Sequence, residues 1–129
     1  MSRTSAVDAL LDAARVGLNR VEPCNLSTEI AAGALVVDIR PVEQRQRDGE
    51  LPGAIVIDRN VLEWRLDPSS PHHIAEVTGA GRRVIIVCDE GFSSSLAAAT
   101  LCKLGLYRAT DLVGGYQALR AGSAVDGER

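Results

Sequence analysis

The sequence predicts an α/β domain built on a parallel sheet, and three observations carry that expectation. Short runs rich in β-branched residues recur along the chain, helix-compatible segments separate them, and Gly or Pro marks the junctions. A length of 129 residues gives one sizeable core rather than two.

The elements follow in order. Residues 1–19 form a helical lead-in, with Ala6, Leu10, Leu11 and Ala14 in an apolar stripe. Cys24, beside Pro23, begins a short helix that runs from Leu26 to Ala32. The first strand is Ala34-Leu35-Val36-Val37-Asp38-Ile39, apolar until it meets charge, and Pro41 opens a charged helix through Asp48. Gly49, Pro52 and Gly53 punctuate the passage to the second strand, Ala54-Ile55-Val56-Ile57. Asn60 precedes a helical segment ending at Leu66, in which Trp64 is read as a core anchor. Pro68 and Pro71 lead on to the third strand, Val84-Ile85-Ile86-Val87. Ser94 or Ser95 caps a helix from Leu96 to Leu104, stopped by Gly105, and Cys102 is a packing residue opposite its Leu96, Leu101 and Leu104 stripe. Gly114-Gly115 precedes a last helical segment around Tyr116 to Ala121. The domain proper is residues 20–121, and 122–129 read as a flexible tail.

Composition excludes several function classes. With 46% hydrophobic and 24% charged residues, no uncharged apolar run approaches the roughly 20 residues that span a bilayer. A net charge of −3 and 3% aromatic residues argue against nucleic acid as a partner. The N-terminus lacks the features of a secretory signal, so a cytoplasmic location is expected. The three cysteines, Cys24, Cys88 and Cys102, are then free thiols, and the adjacent His72 and His73 supply no zinc-ligand set. Neither a metal nor a cofactor is expected.

The chemistry concentrates in Val87-Cys88-Asp89-Glu90-Gly91-Phe92-Ser93-Ser94-Ser95. A buried strand ends at a cysteine, a short loop with one glycine follows, and a helix begins. Ligands of parallel sheets bind outside the carboxyl ends of the strands, where Cys88 is placed. Loop amides at a helix N-terminus favour an anion, and a thiolate is one, so the same field raises the nucleophilic fraction of the sulfur. Asp38 and Arg40, a carboxylate next to a cation at a strand end, invite an acid–base reading.

Three blocks resemble the single-domain rhodanese family. Val36-Val37-Asp38-Ile39-Arg40 is similar to its first-strand motif, Gly49-Glu50-Leu51-Pro52-Gly53-Ala54 to its G-H-I-P-G-A turn, and Cys88 to Ser94 to its active loop, usually C-x-x-G-x-R-S. Gly105-Leu106, Asp111-Leu112-Val113-Gly114-Gly115 and Ala118 resemble the closing segment, so the likeness spans about Val21 to Leu119. It implies a three-layer fold, with helices on both faces of the sheet, and it implies that Asp38 and Arg40 form a structural, buried ion pair bracing the loops at the end of the sheet rather than an acid–base couple. It also implies transfer of sulfane sulfur from a donor such as thiosulfate or a persulfide to a thiol or cyanide acceptor, through a persulfide on Cys88. Asp89, Glu90, Gly91, Phe92, Ser93 and Ser94 would then line the donor site, with small molecules, a thiol or an acceptor protein as partners.

The departures are informative. Ser93 stands where the family loop often has Arg, which removes a cation from beside the sulfur, and Arg45, Arg59 and Arg65 are the candidates to replace it at the rim. Asp89 and Glu90 add negative charge next to the thiolate. Glu50 and Leu119 replace the usual His and Trp as structural substitutions. Two alternatives stay open: a non-catalytic sulfur carrier or interaction domain, and phosphatase or arsenate-reductase chemistry. The second would need Arg at position 94, which is Ser94.

Overall fold

Four parallel strands in the order β2-β1-β3-β4 form the centre of the computed structural model, which describes residues 5–127 and their side chains as far as residue 122. The strands are β1 (Leu35–Asp38), β2 (Ile55–Val56), β3 (Val84–Val87) and β4 (Ala109–Asp111). The first three are those expected from the β-branched runs. The fourth has no apolar run to announce it; β3 holds it by pairing Val84, Ile85 and Ile86 with Ala109, Thr110 and Asp111. Tertiary pairing has overridden a weak local signal there.

Side chains of β1 and β3 are buried on both faces and alternate between two cores, as a period of two requires. Val37, Val84, Ile86 and Cys88 meet Leu62 and Leu66 of α4 (Leu62–Leu66) and Ala97, Ala98 and Leu101 of α5 (Ser93–Lys103). Val36, Ile85 and Val87 meet Leu26 of α2 (Leu26–Ala31), and Tyr116 and Leu119 of α6 (Gly115–Gly127) pack on the same cluster. The fold is therefore three-layered, with helices on both faces. The two remaining helices are α1 (Ala6–Arg15), which packs along α5, and α3 (Val42–Asp48).

Three local expectations are corrected. Trp64 is 58% exposed, whereas Leu62 and Leu66 are fully buried. Helix α4 is a little over one turn long, so residues four apart share its inner face and the residue between them points outward. In α5 the buried face is Ser94, Ser95, Ala97, Ala98 and Leu101, leaving Leu104 exposed. Small side chains let the helix lie close to the sheet, which a search for large apolar residues does not detect. Helical backbone also continues from 122 to Gly127, where the sequence suggests a tail; residues 128 and 129 lie outside the described residues, as do residues 1–4 of the lead-in.

Asp38 and Arg40 do form a buried ion pair, with Arg40 Nη2 at 2.8 Å from Asp38 Oδ2 and both side chains fully excluded from solvent. Arg40 also donates to the Gly49 carbonyl and stacks on the Tyr116 ring, its guanidinium carbon 3.7 Å from the ring centre. The pair thus joins the end of β1 to the turn before β2 and to α6.

Candidate active site

Cys88 is the first residue beyond the carboxyl end of β3, one of the two central strands. It is 6% exposed. Its Sγ accepts hydrogen bonds from the amides of Gly91 at 3.1 Å and Ser94 at 3.4 Å. Helix α5 starts at Ser93 with no side-chain cap. The expected capping serines are engaged elsewhere, since the hydroxyls of Ser94 and Ser95 both donate to Asp111 Oδ2 at 2.7 Å. Asp111 is fully buried, and a buried carboxylate needs such donors. The consequence is chemical: no serine hydroxyl competes for the Ser94 amide in the first turn of α5, which points at Cys88 Sγ.

The loop from Cys88 to Phe92 is held from behind by its carbonyl oxygens. Those of Cys88 and Asp89 accept from the Tyr116 and Gln117 amides at the start of α6, at 2.9 and 3.0 Å. That of Gly91 accepts from Arg15 Nη2 at 2.7 Å and Arg20 Nη2 at 3.2 Å. Gly91 has φ +86°, and a Cβ there would stand 2.7 Å from the Gly114 nitrogen. Gly115, at φ +62°, is constrained in the same way, since its Cβ would meet the Cys88 carbonyl oxygen at 2.6 Å. The loop and the Gly114-Gly115 turn lie backbone against backbone, which only glycine allows.

In front of the sulfur is a cavity of about 250 Å³ lined by Ile39, Arg40, Pro41, Gln44, Cys88, Asp89, Glu90, Phe92 and Ser93. Of the residues the sequence suggests, Asp89, Glu90, Phe92 and Ser93 reach the lining, while Gly91 and Ser94 serve through their amides. The three rim arginines do not belong to it. Arg45 pairs with Glu50 at 3.0 Å, Arg59 pairs with Glu63 at 2.9 Å, and Arg65 donates to the His72 carbonyl at 2.7 Å. Each finds an acceptor close in sequence and stays on its own segment. The Asp89 carboxylate is tied outward, to Gln117 Nε2 at 2.9 Å and Arg47 Nη2 at 3.4 Å, so part of its charge is compensated away from the sulfur.

The residues that sequence reasoning missed are those behind the loop: Arg15, Arg20, Asp111 and Gln117. Arg20 Nε donates to Asp111 Oδ1 at 2.8 Å, and Arg15 Nε donates to Ser95 Oγ at 2.9 Å. Val21 places Arg20, because its backbone bridges to Leu112 and accepts from Val113 while its amide donates to the Asp111 carbonyl. These partners are more than 70 residues apart in sequence, and no local pattern connects them. Cys24 is exposed, and Cys102 is half-buried on α5, where burial pushes its thiol up and its Sγ lies 3.4 Å from the Ala109 carbonyl. Among the described residues no three His, Cys, Asp or Glu side chains group to hold a metal, and no helix is long and apolar enough to cross a membrane.

Similar solved structures share this architecture. A protein of unknown function from Rhodopseudomonas palustris, described as a possible tyrosine phosphatase, is 28% identical, with a TM-score of 0.82 over 95% of both chains. The human single-domain sulfurtransferase is 25% identical, with a TM-score of 0.67 over 79% of this chain and 95% of that one. A rhodanese homologue from Thermus thermophilus is 27% identical, with a TM-score of 0.56 over 78% of this chain and all of the other. No match is found among the curated proteins. The model of the rhodanese-like domain family matches residues 23–121, most of the chain, and with the strand order and the loop geometry above it the chain belongs to the rhodanese-like domain family.

Proposed function

We propose that the protein is a sulfurtransferase that carries sulfane sulfur as a persulfide on Cys88. The observation that carries this reading is the sulfur's position: Sγ accepts from two loop amides, at the uncapped start of α5, and opens onto a cavity sized for a small anion.

The chemistry balances without a cofactor. The Cys88 thiolate attacks the outer sulfur of thiosulfate or of a persulfide donor. A sulfur–sulfur bond forms as the donor's own breaks, and sulfite or the donor thiolate leaves with the electron pair. The charge ends on the outer sulfur of the Cys88 persulfide, where amide donors hold it as they held the thiolate. An acceptor thiolate or cyanide then attacks that sulfur and returns Cys88 to its starting state. Gly91 and Ser94 supply donors, Phe92 and Ser93 shape the entrance, and Asp89 and Glu90 disfavour donors with more charge than the amides offset.

Intact mass after incubation with thiosulfate tests the reading. Wild type gains one sulfur atom, removable by a thiol reductant or by cyanide, and Cys88→Ser gains none while keeping its fold. Sulfur retained by Cys88→Ser, on Cys24 or Cys102, would overturn the assignment. Release of phosphate from an aryl phosphate with no gain of sulfur would favour the oxyanion alternative, for which the loop offers Ser94 in place of a guanidinium. Uptake without turnover on cyanide or a thiol would make the domain a carrier.

A further inference from the structure

We infer that Arg15, seconded by Arg20, is a positioning residue of the Cys88 site, so that the lead-in before the family-matched region is part of the catalytic apparatus. Three observations lead there.

The first is a division of labour among the loop carbonyls. Helix α6 takes those of Cys88 and Asp89, and the two arginines take that of Gly91. The Gly91 carbonyl belongs to the peptide shared with Phe92, directly joined at the Gly91 Cα to the Glu90–Gly91 peptide, whose amide reaches Sγ at 3.1 Å. The arginines thus fix the rear of the segment that faces the sulfur.

The second concerns charge. Arg20 is matched by the buried Asp111 carboxylate. Among the described residues Arg15 has no carboxylate at ion-pair distance; it bonds a carbonyl and a hydroxyl, and its guanidinium carbon lies 5.9 Å from the Phe92 ring centre. An uncompensated cation therefore sits against the loop that carries Ser93 where its relatives often carry arginine. The charged groups around the thiol are Asp89 and Glu90 in the loop, Arg40 beyond β1 with its partner Asp38, Arg47 of α3 through Asp89, Asp111 beyond the serines, and Arg15 and Arg20. Arg15 is the one that adds net positive charge at the loop's rear.

The third is its place in the chain. The family match begins at residue 23, after both arginines. The Rhodopseudomonas palustris structure, aligned over 95% of this chain, must take in most of the residues that precede Pro23, whereas the human one covers 79%. Helix α1 ends at Arg15, in the last turn, where its charge also complements the helix dipole.

This inference rests on the sulfurtransferase reading, and its test separates the two. In the 129-residue chain carrying Cys24→Ser and Cys102→Ser, Cys88 is alkylated with iodoacetamide at neutral pH, and sulfur uptake from thiosulfate is followed by intact mass. Arg15→Gln is expected to slow alkylation at neutral pH roughly three- to tenfold and to lower the rate of uptake with little change in KM. Arg15→Lys keeps the charge but loses the fork, so its alkylation rate stays near wild type while uptake falls. A folded Arg15→Gln with wild-type alkylation and uptake overturns the inference. Should Arg15→Gln fail to fold, Arg15→Lys decides: unchanged uptake overturns it, and reduced uptake with wild-type alkylation supports it. Absence of uptake in the wild-type background defeats the sulfurtransferase reading alone, because the alkylation rate still tests Arg15.

Discussion

At the scale of single residues, Ser93 is the position with the most to gain. It lines the cavity, and Arg45, Arg59 and Arg65, the candidates to replace its missing charge, are bonded to Glu50, Glu63 and the His72 carbonyl. A guanidinium at the rim attracts a dianion by about a kilocalorie per mole or less where water is present, more where it is excluded. Ser93→Arg is therefore expected to lower the KM for thiosulfate roughly two- to tenfold, with a gain that shrinks as salt is added. Steady-state rates at two ionic strengths check both parts. Cys88 itself was legible in the sequence, because strand, glycine loop and helix are written within ten consecutive residues. Arg15 was not, since an arginine at the end of an amphipathic helix looks the same whether it meets water or a carbonyl some seventy residues away.

Among the elements, those whose signal is local were legible: β1 and β3 from their β-branched runs, and α5 from the glycine that follows it. Strand β4 was not, because Ala-Thr-Asp carries no strand signal and becomes one only against β3. The short helix α4 shows what length does to pattern. Leu62 and Leu66 are buried without exposure, and Trp64 covers little, so size misled where spacing would have served. Leu62→Ala is expected to cost about 2–5 kcal/mol, and Trp64→Ala less than about 1 kcal/mol, in urea unfolding. A larger loss for Trp64→Ala would mean that the indole is covered by something absent from a single chain.

At the scale of the whole molecule, Asp48 joins distant segments. Its carboxylate accepts from Arg47 at 2.6 Å, Gln117 at 2.8 Å and Arg120 at 2.5 Å, and so fastens the end of α3 to α6. The Arg47 guanidinium beside it, with the Gln117 and Arg120 donors, holds its carboxyl well below the usual carboxylate range. On acidification the unfolded chain therefore binds that proton first. The stabilisation is complete above about pH 4 and is lost progressively as pH falls below it. Asp48→Asn is expected to lower the urea midpoint at pH 7 and to flatten its decline between about pH 5 and pH 3. Equal declines for the two proteins would show that other carboxylates govern acid unfolding. The backbone contact of Gly91 with the Gly114-Gly115 turn sets a different kind of limit, one of available room. A loop closed at the rear by main chain has nowhere to retreat when, on the sulfurtransferase reading, its sulfur acquires a second atom. On that reading the newcomer has to lie in the cavity whose lining includes Arg40 and the exposed Phe92, and girth as well as charge is expected to sort the acceptors, a slender nucleophile such as cyanide entering more readily than a bulky thiol.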